Sequence, residues 1–162
     1  MRNCHGCKGH CCTRYRVPIT DADLKRLQSS GMAPKDFVDW LPVGDLYSTY
    51  PDVRLEDGYH YLVIAHRPDH SCILSSAGRE GLRCSIHGMH PYLCRLYPFS
   101  QGGNPISHRV CDWDVDPWEN IECLVNDRIR ECEEYAAKVR LWNSSRRVGR
   151  KTGDFLEYIL SR

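Results

Sequence analysis

The stretch Val53-Arg54-Leu55-Glu56-Asp57-Gly58-Tyr59-His60-Tyr61-Leu62-Val63-Ile64 decides the fold class. It reads as a strand, a two-residue turn at Asp57-Gly58 and a second strand. An Asp-Gly pair between such runs marks a β-hairpin, because a type I′ turn needs positive φ at both central residues. Downstream, Cys72-Ile73-Leu74 is a candidate short strand. Residues 75–111 are rich in Gly, Pro, His and Cys and read as mostly irregular, with a short helix around Tyr92-Leu93-Cys94-Arg95. Upstream, residues 1–16 read as a cysteine-rich basic loop. A helix follows it, with Thr20 as N-cap, Asp21 and Asp23 in the first turn, Leu24 and Leu27 inward and Gly31 as the stop. Pro34 can open a second short helix through Asp36-Phe37-Val38-Asp39-Trp40-Leu41, and residues 42–52 read as loop.

The C-terminal part changes period. Trp118, Ile121, Val125, Ile129 (or Arg128), Cys132, Tyr135, Val139 and Trp142 recur at steps of three or four, the apolar stripe of one long helix, with Asp116 as N-cap before Pro117. A last short helix carries Phe155, Leu156, Ile159 and Leu160. The expected architecture is α+β: a small single domain over residues 1–162 with a β-hairpin, irregular cysteine-rich metal-binding loops at 4–111 and a helical segment at 116–162.

Lys plus Arg number 22 and Asp plus Glu 21, a net charge of +1 that makes no electrostatic case for nucleic acid or an anionic membrane surface. No apolar run approaches the length of a membrane-spanning helix, and Met1-Arg2-Asn3-Cys4-His5 lacks the apolar stretch of a signal peptide. The expected location is cytoplasmic. Ten cysteines in 162 residues without an export signal point to metal before disulfides. His5, His10, His87 and His90 each lie within four residues of a cysteine and are open as further ligands.

The cysteines fall into three groups. Cys4, Cys7, Cys11 and Cys12 crowd nine residues interleaved with Gly6 and Gly9. A C-x-x-C pair lets two thiolates reach one centre through a tight turn. Cys72, Cys84, Cys94 and Cys111 match no zinc-finger spacing, but lie in Gly- and Pro-rich loops where a ligand belongs and a core residue does not. Cys123 and Cys132 sit in the long helix, Cys132 on the apolar stripe and Cys123 facing away, and are left out of the site.

These residues resemble the YkgJ-like cysteine-cluster family, a zinc- or iron-chelating class known by its CxxCxxCC signature and related to flagellin lysine-N-methylase. The resemblance is carried by Cys4-His5-Gly6-Cys7-Lys8-Gly9-His10-Cys11-Cys12, Cys72-Ile73-Leu74, Cys84-Ser85-Ile86-His87, His90-Pro91 and Cys94-Arg95-Leu96-Tyr97-Pro98-Phe99. Three departures stand out: one extra residue between Cys7 and Cys11, His87 where the family has Tyr, and His90 in place of an Arg before Pro91. The resemblance implies a metal site much more strongly than any catalysis.

The irregular spacing, which suits a cluster gathering thiolates from scattered loops, and the family resemblance together favour an iron–sulfur cluster, 4Fe–4S, over zinc. Its role would be redox, cluster-dependent or protein-modifying, on a protein partner. A structural zinc site without catalysis is the alternative. Lys8, Arg14, Arg16, Arg83 and Arg95 flank the cysteines and either offset the negative charge of such a site or are simply solvated. The chain contains no G-x-S-x-G, H-E-x-x-H, P-loop or G-x-G-x-x-G motif. Gly78-Arg79-Glu80-Gly81 reads as a turn, Asp112, Asp114 and Asp116 as caps and solvated charges, and Arg146, Arg147, Arg150 and Lys151 as a solvated basic loop.

Overall fold

A computed structural model describes residues 9–44, 50–78, 81–86, 88–97, 99, 121–145 and 150–161. In chain order the elements are α1 (His10–Arg14), α2 (Asp21–Gln28), a single 3₁₀ turn (Pro34–Asp36), β1 (Val38–Pro42), β2 (Val53–Leu55), β3 (Gly58–Ile64), β4 (Ser75–Gly78), β5 (Gly81–Cys84), α3 (Tyr92–Leu96), α4 (Ile121–Ser144) and α5 (Thr152–Leu160). The fold is α+β, with two small antiparallel sheets and a long helix near the C-terminus.

The larger sheet has the order β1-β3-β2. Tyr61, Leu62, Val63 and Ile64 of β3 are all buried. Successive side chains point to opposite faces, so both faces of this central strand are covered. Beside β2 the same edge of β3 also takes the segment Val17–Ile19: Ile64 N–H donates to Val17 O at 2.9 Å and Ile19 N–H to Leu62 O at 2.9 Å. Pro18 stands opposite Val63 between those two bonds, where its missing N–H costs nothing.

Three expectations are corrected. The hairpin turn falls at Glu56-Asp57, one residue earlier than Asp57-Gly58, with Leu55 opposite Gly58. It is not type I′, since among the described non-glycine residues only His70 has positive φ; the permissive residue, Gly58 at φ 135°, opens the returning strand instead. Residues 38–41 are strand rather than helix. Val38, Trp40 and Leu41 suit a pleated surface, and pairing along β3 from Ile64 to His60 outweighs the start signal at Pro34. Ser75–Gly78 and Gly81–Cys84, expected to be irregular, pair as antiparallel strands, whereas Cys72 contributes an isolated bridge to His66 and Ile73-Leu74 are turn. Gly78 stands opposite Gly81 at the end of this pairing, while Arg79 and Glu80, where the turn was expected, lie outside the described residues.

Helix α2 follows its sequence signals. Thr20 Oγ1 accepts from Asp23 N–H at 3.2 Å and Asp23 Oδ2 accepts from Thr20 N–H at 3.2 Å, a reciprocal capping box, while Leu24 and Leu27 are buried. In α4, Tyr135, Val139 and Trp142 face the core, and Arg128 rather than Ile129 takes the next inward position, at 2% against 47% exposure. Its guanidinium lies 5.0 Å from the Tyr50 ring centroid, a cation–π arrangement. Trp118, Asp116 and Pro117 lie outside the described residues. Arg150 is not part of a solvated patch: it is buried, 5.8 Å from the Trp142 ring centroid, with hydrogen bonds to Asn143 O and Ser145 Oγ. No helix among the described residues is long and apolar enough to cross a membrane.

The C-terminal end of α4 protects the outer edge of β2. Asn143 Oδ1 accepts from Arg54 N–H at 2.8 Å, Asn143 Nδ2 donates to Asp52 O at 2.8 Å, and Trp142 Nε1 donates to Arg54 O at 2.9 Å. An edge strand otherwise offers such groups to any passing chain. Asn143→Ala should therefore destabilise the protein by about 1–2 kcal/mol in urea unfolding, two net hydrogen bonds' worth. An unchanged midpoint would show that water replaces this side chain without loss. Cys132 is half-buried against the core and Cys123 is exposed. Cys132→Ala should cost on the order of 1 kcal/mol without changing metal content, and Cys123→Ser almost nothing; metal loss in either variant would overturn the division of the cysteines.

Candidate metal centre

The first described residue, Gly9, sits at φ 73° against β5. A Cβ there would lie 2.6 Å from Leu82 Cβ and 2.7 Å from Leu82 O, so only glycine lets the N-terminal segment approach so closely. The chain then turns into α1, a short helix where the sequence suggested only loop, which carries Cys11 and Cys12. Cys12 O accepts from Cys72 N–H at 2.7 Å, joining the first cysteine region directly to the second.

Cys72 is held by a tight local structure. Pro68 occupies the second position of a turn closed by His70 N–H donating to Arg67 O at 2.9 Å. Asp69 Oδ1 accepts from Ser71 N–H at 2.9 Å and from its hydroxyl at 2.6 Å. The Arg67 guanidinium folds back over this loop. It donates to Cys72 O at 2.6 Å, Ile73 O at 2.7 Å and Ser75 O at 2.7 Å, and to the hydroxyls of Ser71 and Ser75 at 3.2 Å. A fixed planar fork suits several carbonyls at once.

Cys84 ends β5 opposite Ser75, so the short sheet returns it toward Cys72. Cys94 lies in α3, whose first N–H, from Tyr92, donates to the buried Asp23 carboxylate at 2.8 Å. Arg26 in turn bridges Asp23 and Glu131, at 3.2 Å to each. Asp23 thus fixes α3 to α2 and α4, although burial pushes its own carboxyl up, against the pull of Arg26 and the Tyr92 and Thr20 amides.

The thiols act on one another. Crowding by neighbouring protein raises Cys94 well above the ordinary thiol range, and the charges of Cys11, Cys72 and Cys84 raise it further. Cys94 itself keeps solvent exposure, so it is not sealed from water. A hydrogen bond with Cys12 pushes Cys11 up, with burial adding to it. Burial raises Cys72 too; Arg67 opposes that rise and Cys11 adds to it. Without a cation these groups therefore favour the protonated thiol, and a metal ion is what would make adjacent thiolates compatible. Among the described residues, no three His, Cys, Asp or Glu side chains are gathered closely enough to hold a metal ion by themselves. Cys4, Cys7 and Cys111 lie outside the described residues, as do His5, His87 and Lys8. The donor chemistry fits zinc and iron–sulfur centres, both of which take soft thiolates.

The flanking side chains sort differently from the sequence reading. Arg16 pairs with Asp39 at 3.1 Å, and the Arg95 guanidinium lies 5.2 Å from the Tyr92 ring centroid. Arg14 and Arg83 are exposed. Arg67, absent from the candidate set, is the cation acting on Cys72; its signal in the sequence is the Arg67-Pro68-Asp69 turn five residues before that cysteine. His10 opens α1 in an exposed position, and His90 Nδ1 accepts from Gly88 N–H at 3.3 Å.

Compared with known protein families, the chain matches CxxCxxCC, described as a putative zinc- or iron-chelating domain, over residues 3–123. It belongs to this family. The matched span takes in all eight cysteines singled out as ligands, and its description supports metal binding while covering both zinc and iron. Searches of curated proteins and of solved structures find no match.

Replacing Arg67 by Lys keeps the charge but loses the fork. We expect a loss of about 2 kcal/mol, the scale of hydrogen bonds to a charged group, and faster hydrogen exchange at the Ile73 and Ser75 amides. Unchanged exchange there would mean that the Pro68 turn alone holds the loop.

Proposed function

We propose that the chain holds an iron–sulfur cluster, 4Fe–4S, through thiolates drawn from Cys4, Cys7, Cys11, Cys12, Cys72, Cys84, Cys94 and Cys111. The observation that carries this reading is the hydrogen bond from Cys72 N–H to Cys12 O at 2.7 Å, which joins the two cysteine regions. Cys11, Cys72, Cys84 and Cys94 come from α1, a loop bridge, the end of β5 and α3. Zinc sites are usually assembled from paired C-x₂₋₄-C knuckles, whereas clusters accept ligands from dispersed segments. When bound, a cluster of this kind supplies one-electron chemistry. The protein's own part is to fix the thiolates: the Cys12–Cys72 backbone bond joins two ligand segments, Arg67 holds the Cys72 loop and Asp23 anchors α3. The role we favour is redox or cluster-dependent protein modification, with a protein as partner. The seven described cysteines form no disulfides, which suits a reducing, cytoplasmic setting.

Anaerobic purification followed by iron, sulfide and zinc assays tests the metal. A brown protein with matching iron and sulfide is expected, and Cys94→Ser should lose most of both. A colourless protein with stoichiometric zinc would replace this reading by a structural zinc site, and neither metal would overturn metal binding altogether.

Metal removal should act locally. The apolar core of β3, α2, α4 and α5 contains none of the proposed ligands among its fully buried residues, so apo protein should keep most of its helical circular dichroism. Proteolysis should then open at residues 1–16 and 66–111. Global unfolding on chelation would show instead that the core depends on the metal.

A further inference from the structure

We propose that His66 is a ligand of this metal centre, binding through Nε2 beside Cys72. The inference rests on the metal-binding reading above and adds a nitrogen donor to its thiolates.

The backbone register places the two side chains together. Arg67 N–H donates to Ser71 O at 2.8 Å, and Ile73 N–H donates to Ala65 O at 2.9 Å. These bonds bracket the antiparallel His66–Cys72 bridge rather than joining its two residues. Such a bracketed pair is the narrow kind, with Cα atoms about 4.5 Å apart and both side chains on one face. The Pro68 turn and the Arg67 fork hold this register on both sides of the pair.

The ring is prepared for a cation. His66 Nε2 is buried and has no hydrogen-bond partner among the described residues. A buried ring nitrogen left in that state carries an uncompensated desolvation penalty, which donating its lone pair to a metal removes. A neutral imidazole whose Nε2 has no hydrogen-bond partner can offer that lone pair to a metal ion.

Two other described histidines, His90 and His60, are less suited. His90 accepts the Gly88 N–H at Nδ1, so its neutral ring carries the proton on Nε2 and has no lone pair to offer there. His60 faces Asp57 at 3.6 Å and lies six residues back along the chain from His66, roughly 20 Å at strand rise.

The test uses the full chain purified without oxygen, labelled or not with nitrogen-15 histidine. If it carries iron, pulsed electron paramagnetic resonance of the dithionite-reduced protein should show hyperfine coupling from a directly bound ring nitrogen. That coupling should change with the isotope and vanish in His66→Gln. If it carries zinc, Co²⁺ substitution should give a mixed sulfur–nitrogen ligand-field spectrum that shifts toward all-sulfur in His66→Cys. In the iron protein, His66→Cys should keep the metal, lose the coupling and lower the reduction potential, since histidine in place of cysteine raises it. A metal-loaded wild-type protein without a bound ring nitrogen, or one whose nitrogen signal persists in His66→Gln, would overturn the assignment while leaving the metal centre standing. A wild-type protein without iron or zinc would overturn both. A wild-type spectrum without a bound ring nitrogen overturns the proposal whatever the folding of a variant, and His66→Cys, which supplies a replacement ligand, distinguishes His66 from another histidine if His66→Gln misfolds.

Discussion

The central strand β3 constrains everything around it. Tyr61, Leu62, Val63 and Ile64 are buried on both faces, so this strand needs cover on each side and partners along each edge. β1 fills one edge; β2 and Val17–Ile19 share the other. Because Val17–Ile19 runs antiparallel to β3, the chain before it, with Cys11 and Cys12, is delivered to the end where β3 runs on into His66 and Cys72. The Cys12–Cys72 hydrogen bond follows from that geometry. Burial of four apolar residues thereby brings together cysteines sixty residues apart.

Polar interactions then complete what apolar burial begins. Arg67 binds the carbonyls of Cys72, Ile73 and Ser75, and Asp23 caps α3 while Arg26 links it to Glu131 on α4. Asp23 is buried and Arg67 partly so; each carries a desolvation cost that several hydrogen bonds offset. Their shared consequence is functional: each fixes a backbone segment that bears a cysteine. The thiols themselves contribute mutual repulsion once ionised, so the protein scaffold must hold them near one another until a cation makes the arrangement favourable.

Legibility in the sequence varied with the range of the forces involved. The capping box of α2 and the inward face of α4 depend on neighbours three or four residues away, and Thr20, Asp23, Tyr135, Val139 and Trp142 behave as their spacing says. Val38–Pro42 misleads because its partner strand lies some twenty residues on, and the pairing energy of β3 is invisible locally. Arg150 reads as one more charge in a basic loop, yet it is buried against Trp142. His66 gave no signal, being six residues from the nearest cysteine in sequence and directly opposite it across a bridge.

By itself, then, the sequence determined the family and the chemistry on offer: ten cysteines in loops and helices, a CxxCxxCC signature, an α+β pattern. These properties are local, because donor identity, spacing and hydrophobic period reside in the residues themselves. Only the tertiary structure decided that Cys12 and Cys72 are joined through their backbones, that Arg67 is the cation beside Cys72 and that His66 is its cross-strand neighbour. Those relations are set by strand register along β3 and by the turn at Pro68, and register is a property of two segments packed together rather than of either one alone.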